Sequence, residues 1–213
     1  MIAIIDYGVG NLFSLKSSLK QLGLEAVVTA DADNIRKADR LILPGVGAFA
    51  DAMAKLEATG LVPVMKEEAE KKPLLGICLG MQMLFDESEE FGLHKGLGLI
   101  PGRVVKIPST DVQGRPQKVP HISWNPLNPA GGRTDFAGTV LAGVTPGEEC
   151  YFIHSYEAKP ADEADRLADT VYGGRAVCAA AAHGSVVGCQ FHPEKSGKVG
   201  LKIIEEYMKR AEK

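Results

Sequence analysis

Pro73-Leu74-Leu75-Gly76-Ile77-Cys78-Leu79-Gly80-Met81-Gln82 decides how the chain is read. An apolar run with the length and bounds of a buried strand enters a Gly-x-Cys-x-Gly turn, and a helical pattern over Leu79 to Phe85 leaves it. A nucleophile on such a strand-to-helix elbow is lifted clear of the sheet. Its neighbours must be small, because strand and helix backbones pass close together there. The helix that follows directs its first amides and the positive end of its dipole at the sulfur, which favours thiolate. One short segment thus offers a positioned nucleophile, its activation and part of an oxyanion site.

Around the elbow the first half alternates strands and helices. Ile2 to Ile5, Ala26 to Val28 and Leu41 to Leu43 read as strands, the last ending at Pro44-Gly45. Leu12, Leu15, Leu19 and Leu22 recur at helical spacing before Gly23, and two short helices fit Ala48 to Ala58 and Val64 to Lys71. This βαβ rhythm predicts an α/β fold with a central mixed, mainly parallel sheet flanked by helices. From Gly102 onward the chain changes to short β-runs between Gly/Pro turns: Val104 to Ile107, Lys118 to Ile122, Cys150 to Tyr156, Leu167 to Tyr172, Ala176 to Ala182 and Val186 to Phe191. They predict antiparallel additions to the central sheet. An amphipathic helix over Ser196 to Ala211, with Val199, Ile203, Ile204, Tyr207 and Met208 inward, closes the chain. The expectation is one domain over residues 1–213.

Composition narrows the class of function. A 213-residue chain with 45% hydrophobic residues and a net charge of −3 has neither the basic excess of a nucleic-acid binder nor an apolar run near the ~18 residues that span a membrane. Asp6 breaks the first apolar stretch, which reads as a strand and not a signal peptide. Cys78, Cys150, Cys178 and Cys189 then read as thiols of a cytoplasmic protein. The last three sit in apolar runs and suit a core.

A cysteine at neutral pH needs a base. Of the five histidines, His192 stands in Gln190-Phe191-His192-Pro193-Glu194, just past the last predicted strand. A carboxylate two residues on can hold one imidazole nitrogen while the other meets a thiol. Strands of an open α/β sheet gather ligands at their carboxyl ends. Asp6-Tyr7-Gly8, Pro44-Gly45-Val46-Gly47 and Cys78 all fall there. The amide of Leu79 and one from Val46 or Gly47 are the expected oxyanion donors. Blander readings exist for each residue. Cys78 alone could be a core thiol, although glycines on both sides argue against mere filling. Gln82 alone is an ordinary helix residue, Glu90 part of the solvated run Asp86 to Glu90, and Trp124 a core side chain. Gly8-Val9-Gly10-Asn11-Leu12-Phe13 half-mimics a dinucleotide turn but lacks its third glycine, with Asp31 as a weak acidic partner. Cys189 and His192 lack a second ligand pair at zinc spacing, so neither metal nor cofactor is expected.

Together, Gly-Ile-Cys-Leu-Gly-Met-Gln, Gln-Phe-His-Pro-Glu and Pro-Gly-Val-Gly resemble the class I, triad-type glutamine amidotransferases. Asp6 to Leu12, Pro120 to Asn125, Tyr151 to Tyr156 and Phe191 to Gly197 narrow the resemblance to the family of glutaminase subunits of imidazole glycerol phosphate synthase, over nearly the whole chain. The resemblance implies that Cys78 attacks the side-chain amide of glutamine, that His192 moves the proton and that Glu194 orients His192. It implies glutamine contacts from Gly45, Gln82, Glu90 and the backbones of His154, Ser155 and Tyr156. It implies a heterodimer with a (βα)8-barrel cyclase subunit that receives the ammonia, with Asn11, Trp124 and Asn125 on the docking face. It suggests that the loop Pro44 to Gly47 switches on when the cyclase is occupied. Ser123 departs from the glycine expected in the His-x-Gly-Trp-Asn segment. Two alternatives stay open: a glutaminase serving another synthase, and a binding protein that kept the fold.

Overall fold

Ile2–Ile5 (β1) is buried along its whole length, as a strand covered on both faces must be. It begins a computed structural model whose described residues are 1–209. After it come α1 (Leu12–Gln21), β2 (Ala26–Thr29), α2 (Ala32–Lys37), β3 (Arg40–Gly45), α3 (Phe49–Ala58), α4 (Val62–Ala69), β4 (Leu74–Cys78) and α5 (Leu79–Met83). The second half holds β5 (Phe85–Ser88), β6 (His94–Lys95), β7 (Ile100–Lys106), β8 (His121–Pro126), β9 (Asn128–Pro129), β10 (Glu149–His154), β11 (Tyr156–Pro160), β12 (Arg166–Tyr172), β13 (Arg175–His183) and β14 (Val186–Cys189). Helix α6 (Gly197–Lys209) ends the described chain; Ala211, the expected end of this helix, lies outside the described residues.

The central sheet has eight strands in the order β2-β1-β3-β4-β14-β13-β12-β9. The pairs from β2 to β14 are parallel, and those from β14 to β9 antiparallel. The predicted mixed, mainly parallel sheet with flanking helices is therefore present. Pleating divides β1 between two cores: Ala3 and Ile5 pack on one face with Phe49 and Met65, and Ile2 and Ile4 on the other with Leu15, Ile203 and Ile204. Tyr207 locks α6 against the sheet by donating its hydroxyl to the carbonyls of Leu41 (2.7 Å) and Pro73 (2.9 Å).

Four features differ from the sequence expectation. β14 is not an antiparallel addition; it pairs parallel with β4, Gly188 opposite Gly76. The runs at β7 and β11 leave the central sheet for a separate four-stranded one with β5 and β6, and β8 pairs with β10 in a two-stranded ribbon. The helix after the elbow is shorter than expected, because Phe85 already starts β5. Finally, α2 was not foreseen: the Asp31 carboxylate caps it by accepting from the amides of Asp33 (2.7 Å) and Asn34 (3.3 Å). That cap also occupies the one acid that had kept a dinucleotide reading open.

Because β1, β3, β4 and β14 are neighbours, their carboxyl ends bring Tyr7, Gly45, Cys78 and the segment after Cys189 to one edge. The β8–β10 ribbon closes over that edge: the carbonyl of Ile153 accepts from the Cys78 thiol at 3.7 Å.

Candidate active site

Cys78 ends β4 and immediately precedes α5, with φ +54° and ψ −111°. This positive φ is strained for a residue with a side chain and persists only where the surroundings enforce it. The enforcement is visible in the packing. A Cβ on Gly80 would stand 1.9 Å from the carbonyl oxygen of Leu43, and one on Gly76 2.7 Å from that of Gly80. Gly45 pairs with Cys78 across β3 and β4, and a Cβ there would come within 2.7 Å of the Gly80 nitrogen. Strand, elbow and helix thus close only with glycine at these positions.

His192 follows β14 on a segment fixed at both ends. Its N–H donates to the Tyr151 carbonyl (3.0 Å), and its carbonyl accepts from the Ser196 hydroxyl (2.6 Å). A single 3₁₀ turn, Pro193–Lys195, then brings Glu194 Oε1 to 2.9 Å from His192 Nδ1. Burial opposes charge on this imidazole. Hydrogen bonds and charges from Cys78 and Glu194 outweigh it and raise its pKa to about 9. The ring therefore has thiol on one side and carboxylate on the other. The remaining thiols are ordinary core groups: Cys150, Cys178 and Cys189 are fully buried, and burial pushes the first two up to about 12.

Cys78 and His192 open into a cleft of about 290 Å³, at the small end of ligand sites. Val46, Gly47 and Leu79, the expected oxyanion residues, line it. So do Gln82, Glu90, His154, Ser155 and Tyr156, five of the six expected substrate contacts. The sixth, Gly45, lies behind the loop, in a narrow recess shared with Asn11 and Glu194. Gly47 takes φ +97°, a conformation that favours glycine, and a Cβ there would meet nothing within 4 Å. The Glu90 carboxylate accepts from the Phe49 amide at 2.7 Å. It thereby caps α3, whose own N-cap residue, Ala48, has no side chain that can do so. Gln82 Nε2 donates to the Tyr156 carbonyl and to Gln190 Oε1, both at 3.0 Å.

The expected partner-facing residues divide. Trp124 is half exposed on the outer face of the ribbon, beside the exposed Ile122. Asn125 shares the opposite face with His121 and Ser123, and its side-chain amide donates to the Val171 carbonyl at 3.0 Å. Asn11 stands at the start of α1, beside the recess that reaches Glu194.

Two residues at the site were given no individual role by the sequence. Tyr7 donates its hydroxyl to the Pro44 carbonyl (2.7 Å) and so pins the root of the oxyanion loop. Its place at the carboxyl end of β1 was the available signal. Gln190 is fully buried and donates through Nε2 to Cys78 Sγ at 3.8 Å; a glutamine ending an apolar strand pattern pointed to it.

The chain is similar to known proteins along nearly its whole length. Residues 3–210 match the family model for class-I glutamine amidotransferases. The imidazole glycerol phosphate synthase subunit HisH 1 of Legionella pneumophila (strain Lens) is 45% identical over 208 residues, which cover 97% of this chain and 98% of that one. The subunit HisH of Geobacillus kaustophilus (strain HTA426) is 49% identical over 209 residues, covering 98% and 96%. Among solved structures, a crystal structure of a glutamine amidotransferase superposes with TM-score 0.72 at 19% identity, over 98% of this chain and all of that one. The structure of PurLQS from Thermotoga maritima gives 0.70 at 19% identity, covering 97% and 96%. At such identities the structural likeness speaks for the fold alone.

Proposed function

The chain belongs to the class-I glutamine amidotransferase family, and from that premise we propose that it releases ammonia from glutamine as the glutaminase subunit of imidazole glycerol phosphate synthase, in histidine biosynthesis. The observation that carries the reading is the strained cysteine elbow beside a carboxylate-oriented imidazole.

The chemistry follows from those groups. The Cys78 thiol gives its proton to His192, and Sγ bonds to the side-chain carbonyl carbon of glutamine. Charge collects on the carbonyl oxygen, where the Leu79 amide and an amide of the Val46–Gly47 loop stabilise it. The C–N bond then breaks, and the proton held by His192 leaves with the nitrogen as ammonia. Glu194 keeps the ring in the orientation and tautomer that both transfers need. Water, losing a proton to His192, attacks the thioester; glutamate leaves and the proton returns to sulfur. Glu90 suits the α-ammonium of glutamine, and Gln82 and the backbone from His154 to Tyr156 suit its carboxylate end and stem.

As a synthase subunit the chain works with a partner. We take that partner to be a (βα)8-barrel cyclase that joins the ammonia to a ribulosyl nucleotide, giving imidazole glycerol phosphate and an aminoimidazole carboxamide nucleotide. A sealed path between the two suits the cargo, because ammonia exposed to water at neutral pH is protonated and loses its nucleophilic lone pair. Exposed Trp124 and Ile122, close to the cleft, suit the docking face. Four free, buried thiols suit a reducing compartment such as the cytoplasm. No helix among the described residues is long and apolar enough to cross a membrane.

Trapping the intermediate tests the reaction. Acid quenching during turnover, followed by mass spectrometry, should find a glutamyl group on the peptide containing Cys78 and none on the other thiols. A turning-over enzyme that never carries that mass would refute the thioester route.

A further inference from the structure

A file of polar groups runs from the β8–β10 ribbon into the cleft. His154 Nδ1 lies 2.8 Å from the Tyr156 carbonyl, and His154 Nε2 3.1 Å from His121 Nδ1. His121 Nε2 in turn lies 2.9 Å from Ser123 Oγ and 3.0 Å from Asn125 Oδ1. A carbonyl only accepts, so the proton of His154 sits on Nδ1. A neutral imidazole has one N–H. His154 Nε2 must therefore accept, and His121 must donate from Nδ1. That leaves His121 Nε2 bare and in need of a donor.

Both rings are neutral for physical reasons. They are buried, their polar partners are a carbonyl, a hydroxyl and an amide, and His192 adds its positive charge against a charge on His154. Burial is the largest influence and lowers both, His154 to about 3. The His121 ring is stacked between Phe152 (centroids 5.2 Å apart) and Tyr172 (4.1 Å), and turned over within that stack it would set carbons where its nitrogens now meet His154 and Ser123. Of the two groups at Nε2, Asn125 offers only its oxygen, since its amide nitrogen donates to the Val171 carbonyl. The Ser123 hydroxyl is the remaining donor. Its proton faces both His121 Nε2 and Asn125 Oδ1, and the ring nitrogen is the stronger base.

We propose that Ser123 is a positioning residue: its hydroxyl donates to His121 and thereby sets the direction of the His121–His154 pair that holds the Tyr156 carbonyl in the glutamine cleft. That carbonyl is shared with Gln82, which also holds Gln190 against Cys78. Without the hydroxyl, the favourable neutral arrangement at the outer end is reversed. His121 Nε2–H then donates to Asn125 Oδ1, His154 Nε2–H donates to His121, and bare His154 Nδ1 faces the Tyr156 carbonyl, acceptor against acceptor. The backbone that lines the cleft must move to relieve it. Ser123 sits one residue from exposed Trp124, so the same file connects the outer ribbon to the cleft.

The kinetic part of the test rests on the glutaminase reading, and the spectroscopic part does not. Imidazole 15N spectra of the full chain, compared for wild type, Ser123→Ala and Ser123→Thr, report which ring nitrogens carry protons. We expect Nδ1–H on both His121 and His154 in wild type and in the threonine variant. In the alanine variant, protons appear on Nε2, and the glutamine KM rises roughly three- to tenfold, the scale of one neutral hydrogen bond, with a smaller change in kcat. Unchanged tautomers in Ser123→Ala, or threonine and alanine variants that behave alike, would overturn the proposal. The expected tautomers in a chain that shows no glutaminase activity even with the loaded cyclase subunit would support it while refuting the activity.

Discussion

His192 Nδ1 and Glu194 Oε1 lie 2.9 Å apart, and each side chain is only 3% exposed. The carboxylate therefore acts on the ring with little solvent between them. Together with Cys78 it raises the imidazole to a pKa of about 9 against the opposing effect of burial. In Glu194→Gln the ring loses that charge, so its titration, followed by NMR, should move down. With the orienting carboxylate gone, kcat should fall by roughly 10² to 10⁴. The same pair links stability to pH. The unfolded ring titrates near 6.5, so below that pH both states carry the proton and the stabilisation is complete. Between about 6.5 and the folded value of about 9 only the folded state keeps it, and stability is lost as pH rises. Denaturant unfolding across this range should show a smaller loss in Glu194→Gln than in wild type.

Gly80→Ala tests the elbow itself. Its Cβ would stand 1.9 Å from the Leu43 carbonyl oxygen, so β3 and α5 must part. The expected cost is about 3 kcal/mol, at the upper end for overpacking, with loss of glutaminase activity. Gly60→Ala is the control. Gly60 has φ +71° but nothing within 4 Å of its Cβ site, so only backbone strain of about 1 kcal/mol is expected, with activity kept. Thermal unfolding of the two variants gives the comparison.

Glu90→Ala removes both a proposed glutamine contact and the acceptor for the Phe49 amide. The glutamine KM should rise about tenfold or more. Stability should fall by about 1 kcal/mol, the scale of a lost helix cap. Serine at position 48, as Ala48→Ser in the Glu90→Ala background, offers a local cap, so it should restore stability without restoring KM. Steady-state kinetics and thermal unfolding separate the two effects.

The first half was legible because its signals are local. Apolar runs of strand length, helical spacing of leucines and the glycines around Cys78 each dictate conformation within a few residues. Helix α2 was missed because it is only six residues long and depends on one cap, Asp31. The second half misled for a different reason. Period-two patterning says that Val104 or Phe152 lies in a strand but not which neighbour it pairs with, so β7, β11 and the β8–β10 ribbon were drawn into the wrong sheet. The parallel pairing of β14 was hidden likewise, since β4 lies far away in sequence. At the site, the motif-borne residues could be named in advance. The hydrogen-bonding roles of Gln190 and of the file of His121, His154 and Ser123 could not, because they exist only in the geometry of hydrogen bonds between separate strands.

Trp124→Ala addresses the docking face. The side chain is half exposed, tilted against Tyr151 at 5.9 Å between centroids, and not part of either core. Thermal stability should change by no more than about 0.5 kcal/mol, as for an ordinary surface position. Affinity for the cyclase, measured by calorimetry, should fall at least tenfold, as for an aromatic anchor. Equal affinity would move the interface elsewhere.

The most direct measurement is glutamate release from glutamine by the chain alone and with the cyclase subunit carrying its nucleotide ligand, with Cys78→Ala as the blank. Little release by the chain alone, a large rise with the loaded partner, and none from the blank in either setting are expected. Strong release that ignores the cyclase would contradict the proposed partner, and release by the blank would contradict the role of Cys78.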